Sequence, residues 1–278
     1  KSGLWVLPFV GGGNVFGMTA DRAASFAILD RFVERGGGMI DTADVYSAWV
    51  PGHKGGESES MMGAWLKDSG ARDHVLIATK VGMMPGKDDP DVPLDEALGA
   101  FGELVDAGTV RAIGASNYSA ERLAEALRVA DAGGLPRFTA MQPELNLLDR
   151  DQYEGALQQL CIAEGLGVVT YFSLASGYLS GKYRSAEDLG KSPRGARAKA
   201  YLEGKGPAVL AAMDAIAAET GAPLSQIALA WVAAQPGVTA PIASATSVAQ
   251  LDEIMDSETV TLTDLQLAAL NEAGRGTA

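Results

Sequence analysis

Histidine and cysteine are nearly missing from this chain of 278 residues, which has two of the first, His53 and His74, and one of the second, Cys161. A lone cysteine excludes an internal disulfide framework and suits a reducing compartment. The opening Lys1-Ser2-Gly3-Leu4 has no signal-peptide character, so a cytoplasmic location is expected. Cys161 itself reads as a small buried hydrophobe. The two histidines are not at metal-ligand spacing and no cysteine cluster accompanies them, so no metal centre is expected. No apolar run has the length of a membrane span. Positive charge is scarce too: 22 Lys and Arg against 35 Asp and Glu leave a net charge of -13. That balance argues against nucleic acid or an anionic membrane surface as a partner. The usual nucleotide fingerprints are absent. "GGGNVFG", residues 11–17, spaces its glycines wrongly for a dinucleotide-binding turn, and no Gly-Lys-Ser/Thr phosphate loop occurs.

What is present is an alternation. Short apolar runs at 5–10, 39–42, 75–79, 110–115, 139–143, 168–172 and 240–243 read as buried strands. Amphipathic stretches lie between them, among them 22–33, 58–66, 94–105, 120–129, 153–162, 209–218, 224–233 and 265–270. Alternating strands and helices imply a parallel sheet with helical cover. Nothing resembling a linker interrupts the pattern, so residues 1–278 are expected to form one domain. Seven strands fall one short of a (β/α)8 barrel, and an open doubly wound sheet stays in play at this point. Charge is uneven: residues 182–205 hold seven Lys and Arg against three Asp and Glu, an island in an acidic chain that suits a polyanionic ligand or a solvated loop.

Polar residues gather where barrels place chemistry, at the C-terminal tips of the strands. "MIDTADVY" ends a strand with Asp41 and brings Tyr46 five residues later, and "VLIATK" ends with Lys80. "AIGASN" ends with Ser116 and Asn117, "TAMQPELN" carries Gln142, and "VVTYFSL" carries Tyr171 and Ser173. Each alone reads as readily as a cap, a packing group or a surface residue. Together they converge on one rim.

Over nearly its whole length the chain resembles the aldo-keto reductase family, through "DTADVY", "IATK", "VRAIGASNYS", "QPELN", "YFSLASGYLSGKY" and "ATSVAQLDE". The branch it is most similar to includes bacterial general aldo/keto reductases and the potassium-channel β subunits. The resemblance implies a (β/α)8 TIM barrel and an NAD(P)H-dependent reductase of aldehydes or ketones; a cofactor-binding protein of low turnover is the alternative. By matched position, Tyr46 is the implied general acid, Lys80 lowers its pKa, and Asp41 pairs with Lys80. Ser116, Asn117 and Gln142 would bond the carboxamide, and Tyr171 would stack on the nicotinamide. The backbone of Ser173, Leu174 and Gly177, with Lys182 and Arg194, would line the pyrophosphate. The polar loop of Ser244 and Thr246, with Gln250 and Glu253, would hold the adenosine end. The basic pair that other branches set on a 2′-phosphate is absent, with Ser244 and Gln250 in those places, so NADPH is expected and NADH stays open. A small carbonyl compound is the implied substrate, and the oligomeric state is not legible.

One unit is missing from the pattern. After the strand that ends in Lys80, the family has a further helix and strand, the strand ending in a catalytic histidine. Here "VGMMPG" runs directly into "KDDPDVPL". The deficit is roughly one βα unit of about 30 residues. Either the sequence omits a stretch between Gly86 and Lys87, whose Cα atoms would then lie well beyond the usual peptide spacing, or the barrel lacks the unit. The first is preferred, because a parallel barrel without one strand exposes two unpaired edges.

Overall fold

Asp21, Ser119, Ser247 and Thr263 each halt the chain in an extended conformation, and each side chain accepts the backbone N–H three residues on. These caps satisfy donors that the first helical turn leaves open. They start α1 (Arg22–Glu34), α4 (Ala120–Gly133), α9 (Val248–Met255) and α10 (Asp264–Arg275). The computed structural model describes residues 2–83, 92–192 and 194–276. The other helices are α2 (Glu57–Ser69), α3 (Leu94–Asp106), α5 (Ala156–Glu164), α6 (Gly195–Leu202), α7 (Gly206–Thr220) and α8 (Leu224–Ala233).

Among the described residues, seven short strands alternate with them: β1 (Val10–Gly12), β2 (Met39–Asp41), β3 (Leu76–Ala78), β4 (Gly114–Ser116), β5 (Ala140–Gln142), β6 (Gly167–Thr170) and β7 (Ala240–Ala243). All pairings are parallel, in the order β3-β2-β1-β7-β6-β5-β4. With β1 pairing β7, the first strand closes on the last, as in a (β/α)8 barrel rather than an open doubly wound sheet. Among the described residues the ring stays open between β3 and β4. They are its two edges, and among the described residues neither has a partner on its outer side. The expected deficit of one unit therefore appears where the motifs place it. Gly86 and Lys87, where the sequence reading sets the join, lie outside the described residues.

The first strand departs from its expected position. The apolar run at 5–10 reads as a strand, yet β1 is Val10–Gly12, and Trp5 is 93% exposed. Glycine forms strands poorly, but here the backbone must come close to its neighbours. A Cβ on Gly12 would stand 2.3 Å from Ser244 Oγ, beyond the end of β7. Gly12→Ala is therefore expected to cost about 1–3 kcal/mol through overpacking, read as a lower urea midpoint. An unchanged midpoint would show that the β1 and β7 tips have room to separate.

Period-two alternation splits the core. Phe9 and Ala243 join Phe32, Ile40, Trp65 and Leu251 beneath α1, α2 and α9, while the adjacent Val10 and Ile242 pack with Val169 and Ala240 on the opposite face. A larger cluster around Leu123, Met141, Val168, Met213 and Trp231 fills the space under α4, α5, α7 and α8. Burial declines toward the opening. All four residues of β7 are buried, whereas no residue of β3 is, and Gly114 of β4 is exposed. Val81 and Met83, just past β3, are 64% and 62% exposed.

Candidate active site

The tips of β2, β3 and β5 bring three donors to one carboxylate. Asp41, the last residue of β2 and 2% exposed, accepts from Lys80 Nζ at 2.6 Å and from Gln142 Nε2 at 2.8 Å on Oδ1. Its Oδ2 accepts from the Tyr46 hydroxyl at 2.8 Å. Lys80 also donates to the Thr42 carbonyl at 2.7 Å. A buried carboxylate is tolerated only when paired and hydrogen-bonded, and Asp41 meets both conditions.

The arrangement differs from the expectation in one respect. Lys80 should lower the Tyr46 pKa, but its ammonium lies over the face of the tyrosine ring, 4.8 Å from the centroid, while the hydroxyl points to Asp41. Burial first, then the charge of Asp41 and the hydrogen bond to it, hold the Tyr46 proton well above the ordinary tyrosine range. The cause is geometric. One carboxylate holds both side chains, so the ammonium neutralises Asp41 and leaves the phenol oxygen to a neighbour that favours its protonated form.

The network continues around the rim. Ser116 Oγ donates to the Gln142 carbonyl at 3.0 Å, and Asn117 Oδ1 accepts from the Tyr171 hydroxyl at 2.7 Å. Tyr171 meets Phe172 edge to face, and burial, then the charge of Glu144, push its pKa up to about 12. All the residues expected at the nicotinamide end thus stand on adjacent strand tips. Asn117 adopts a left-handed φ of 61°.

After β6 the backbone is strained. Phe172, Ala175, Ser176 and Gly177 all have positive φ, with Ser173 and Leu174 between them. Such runs turn successive N–H groups toward one side and form anion-binding hollows. Lys182 is exposed and folds back over this loop, so a Cβ on Gly177 would meet its Nζ at 3.0 Å. Arg194 is half-buried and forms no ion pair among the described residues; its Nη2 donates to Asn14 Oδ1 at 3.3 Å. Burial, then the nearby Arg197, hold its guanidinium below the usual arginine range. Elsewhere in the basic island, Arg184 pairs with Asp214 and Lys191 with Asp188. Lys182 and Arg194 are thus cations with no ion pair among the described residues, beside a loop of left-handed backbone whose Ala175 and Gly177 N–H groups bond the Phe172 and Leu174 carbonyls.

Asn14, on the loop after β1, is a site residue that the sequence reading missed. Its Oδ1 also accepts from Ser244 Oγ at 2.8 Å, joining the expected pyrophosphate and adenosine ends. The glycine run "GGGNVFG" was the available signal, since a polar residue in a loop that closely approaches two strands has few other uses. Thr246 donates through its N–H and its hydroxyl to Gln250 Oε1, both at 2.9 Å. Glu253 turns elsewhere: its carboxylate accepts from Ser225 Oγ on α8. A dinucleotide fits this set, with two cations that form no ion pair among the described residues and left-handed backbone for its phosphates, and amides and hydroxyls at the strand tips for its carboxamide. Neutralising Arg194 is expected to weaken binding of a nicotinamide dinucleotide by about 1–3 kcal/mol, and the exposed Lys182 by less, as read by fluorescence titration. An unchanged Kd in both variants would return the island to a solvated loop.

The Aldo/keto reductase family model matches residues 9–89 and 86–275. Aldo-keto reductase AFTS1 of Alternaria alternata is 32% identical over 190 residues, covering 67% of this chain and half of that protein. A probable voltage-gated potassium channel subunit beta of Oryza sativa is 29% identical over 300 positions, 92% of this chain and 88% of that one. Protein tas of Escherichia coli is 28% identical over 322 positions, 93% of this chain and 91% of that one.

Proposed function

The chain belongs to the aldo/keto reductase family of NAD(P)H-dependent oxidoreductases, and from that premise we propose that it is an NADPH-dependent reductase of small aldehydes or ketones. The observation that carries the reading is the network of Lys80, Tyr46 and Gln142 on Asp41. When bound, the cofactor supplies a hydride from C4 of its nicotinamide. Ser116, Asn117 and Gln142 orient the carboxamide, and Tyr171 offers a ring face to the nicotinamide. Arg194, Lys182 and the left-handed turn after β6 hold the phosphates, and Asn14 ties that turn to Ser244.

Tyr46 holds a proton that the carbonyl oxygen needs as it becomes an alkoxide. A tyrosine kept protonated at neutral pH is in the form a reduction requires of its acid. To deliver the proton, the hydroxyl leaves Asp41 Oδ2 for the substrate oxygen. Lys80 then lies beside a phenolate and stabilises it. Asp41 fixes Lys80 throughout. Trp49, 58% exposed and edge-on to Tyr46 with ring centroids 6.4 Å apart, offers an apolar wall to the substrate. We further propose that residues 1–278 act as one domain and that the protein works in the cytoplasm.

NADPH oxidation followed by absorbance across a panel of aliphatic and aromatic aldehydes tests the reading, with turnover expected for at least one class. A second reading, a cofactor-binding protein of low turnover, is favoured by one feature, the lack of any histidine in the sequence after the strand that ends in Lys80. NADPH binding without turnover on any aldehyde would select it.

A further inference from the structure

Gly13 pins the loop after β1. Its N–H donates to the Asp41 carbonyl at 2.7 Å, and its own carbonyl accepts from Ser58 Oγ at 2.7 Å and from Phe16 N at 3.1 Å. A Cβ there would stand 2.6 Å from the Asp41 carbonyl oxygen, so the backbone lies against β2 as only glycine allows. On the other side of Asn14, Val15 and Phe16 are buried. Asn14 is thereby held between fixed neighbours, and its amide is in place before any ligand arrives.

The amide oxygen serves two donors. A guanidinium can only donate, so the atom facing Arg194 Nη2 at 3.3 Å is Oδ1, and the same oxygen takes the Ser244 hydroxyl at 2.8 Å. Arg194 differs in this from other arginines of the chain. Arg31, Arg35, Arg137 and Arg184 all bond carboxylates, and 35 Asp and Glu against 22 Lys and Arg make an acidic partner easy to supply. Among the described residues Arg194 has none, although it is half-buried and Arg197 adds a second positive charge three residues on. A cation in that setting is costly without a counter-ion. A neutral oxygen steers it and leaves its field intact, whereas a carboxylate at the same atom would neutralise it.

Resting on the dinucleotide reading of the site, we propose that Asn14 is a positioning residue that acts by being neutral. It preorganises the Arg194 guanidinium for the phosphates of the dinucleotide and leaves the charge uncompensated for them. A phosphate oxygen accepts a charge-assisted bond from a guanidinium, which is stronger than a bond to a neutral amide at 3.3 Å. Exchange of one acceptor for the other breaks no ion pair. Ser244 keeps Oδ1 occupied, so the amide oxygen is not orphaned by the exchange.

Asn14→Asp separates this role from a structural one, because it keeps an acceptor for both Arg194 and Ser244. Its urea midpoint should equal or exceed that of wild type, since Arg194 gains an ion pair. NADPH binding, followed by fluorescence titration, should nonetheless weaken about tenfold or more. Asn14→Ala, which frees Arg194 without neutralising it, should weaken binding only about threefold. In an Arg194→Gln background Asn14→Asp should weaken it by less than about threefold, because the charge it acts through is gone. The neutral role is overturned if Asn14→Asp binds NADPH as wild type does, if its loss is as large in the Arg194→Gln background, or if its midpoint falls along with its affinity. Wild type that bound no NADPH would overturn this role and the reductase reading together. Binding without turnover would sink the reductase reading and leave the role of Asn14 standing.

Discussion

Replacing Tyr46 with phenylalanine is expected to lower kcat for aldehyde reduction by roughly a hundredfold or more, the scale of a lost general acid. NADPH affinity should stay within about threefold, because the phenylalanine ring keeps its place beneath Lys80 and against Trp49 and none of the phosphate-binding groups moves. Asp41 loses one of three donors and keeps Lys80 and Gln142. A variant that retains most of its kcat would remove Tyr46 from the role. The pH dependence carries a sign. The folded-state pKa of Tyr46 is raised above the ordinary value near 10, so the stabilisation it brings is fully present below about pH 10 and is lost as pH rises further. Wild type should therefore lose stability more steeply than Tyr46→Phe above that pH. Acid catalysis by Tyr46 should also show no alkaline decline in kcat before it.

Asp41→Ala is the second large effect. It leaves the Lys80 ammonium without its counter-charge and strips the acceptor from Gln142 Nε2 and from the Tyr46 hydroxyl. Breaking a buried pair by removing one partner costs several kcal/mol, and Lys80 retains some water, so about 3 kcal/mol is expected. Thermal unfolding should fall by roughly 6–9 °C for a chain of this size. Asp41→Asn, which keeps an acceptor for Lys80, should fall by less. If the two variants unfold at the wild-type temperature, Asp41 does not organise the rim.

The rim was legible because its chemistry sits on types that a buried strand seldom ends with. Asp41, Lys80, Asn117, Gln142 and Tyr171 each close or follow an apolar run, and parallel strands bring such ends to one side. The helices were mostly legible from their apolar period. Two were not. α6 lies in the basic island, where charge hides the period, and α9 lies in a stretch whose polar residues read as a cofactor loop. The strand at Val10–Gly12 was misplaced because its glycines serve close approach, which no propensity records. The Tyr46 proton is a similar case. The sequence presents an acid, a lysine and a carboxylate, but which oxygen each donor reaches depends on angles between β2, β3 and the loop after Asp41. Asn14 acts through partners 180 and 230 residues away, so the glycine run around it marks a close-packed loop but not which residues it meets.

Transfer of the cofactor's own hydrogen to the substrate carbon is the defining act of a nicotinamide-dependent reductase, and isotope labelling follows it. The protein is incubated with an aldehyde substrate and NADPH deuterated at C4 of the nicotinamide on the transferred face, and the alcohol product is weighed by mass spectrometry. The expected product is an alcohol heavier by one carbon-bound deuterium, formed by wild type and suppressed in Tyr46→Phe. Unlabelled alcohol, or no alcohol from a protein that binds NADPH and is offered the full aldehyde panel, would contradict the reductase reading.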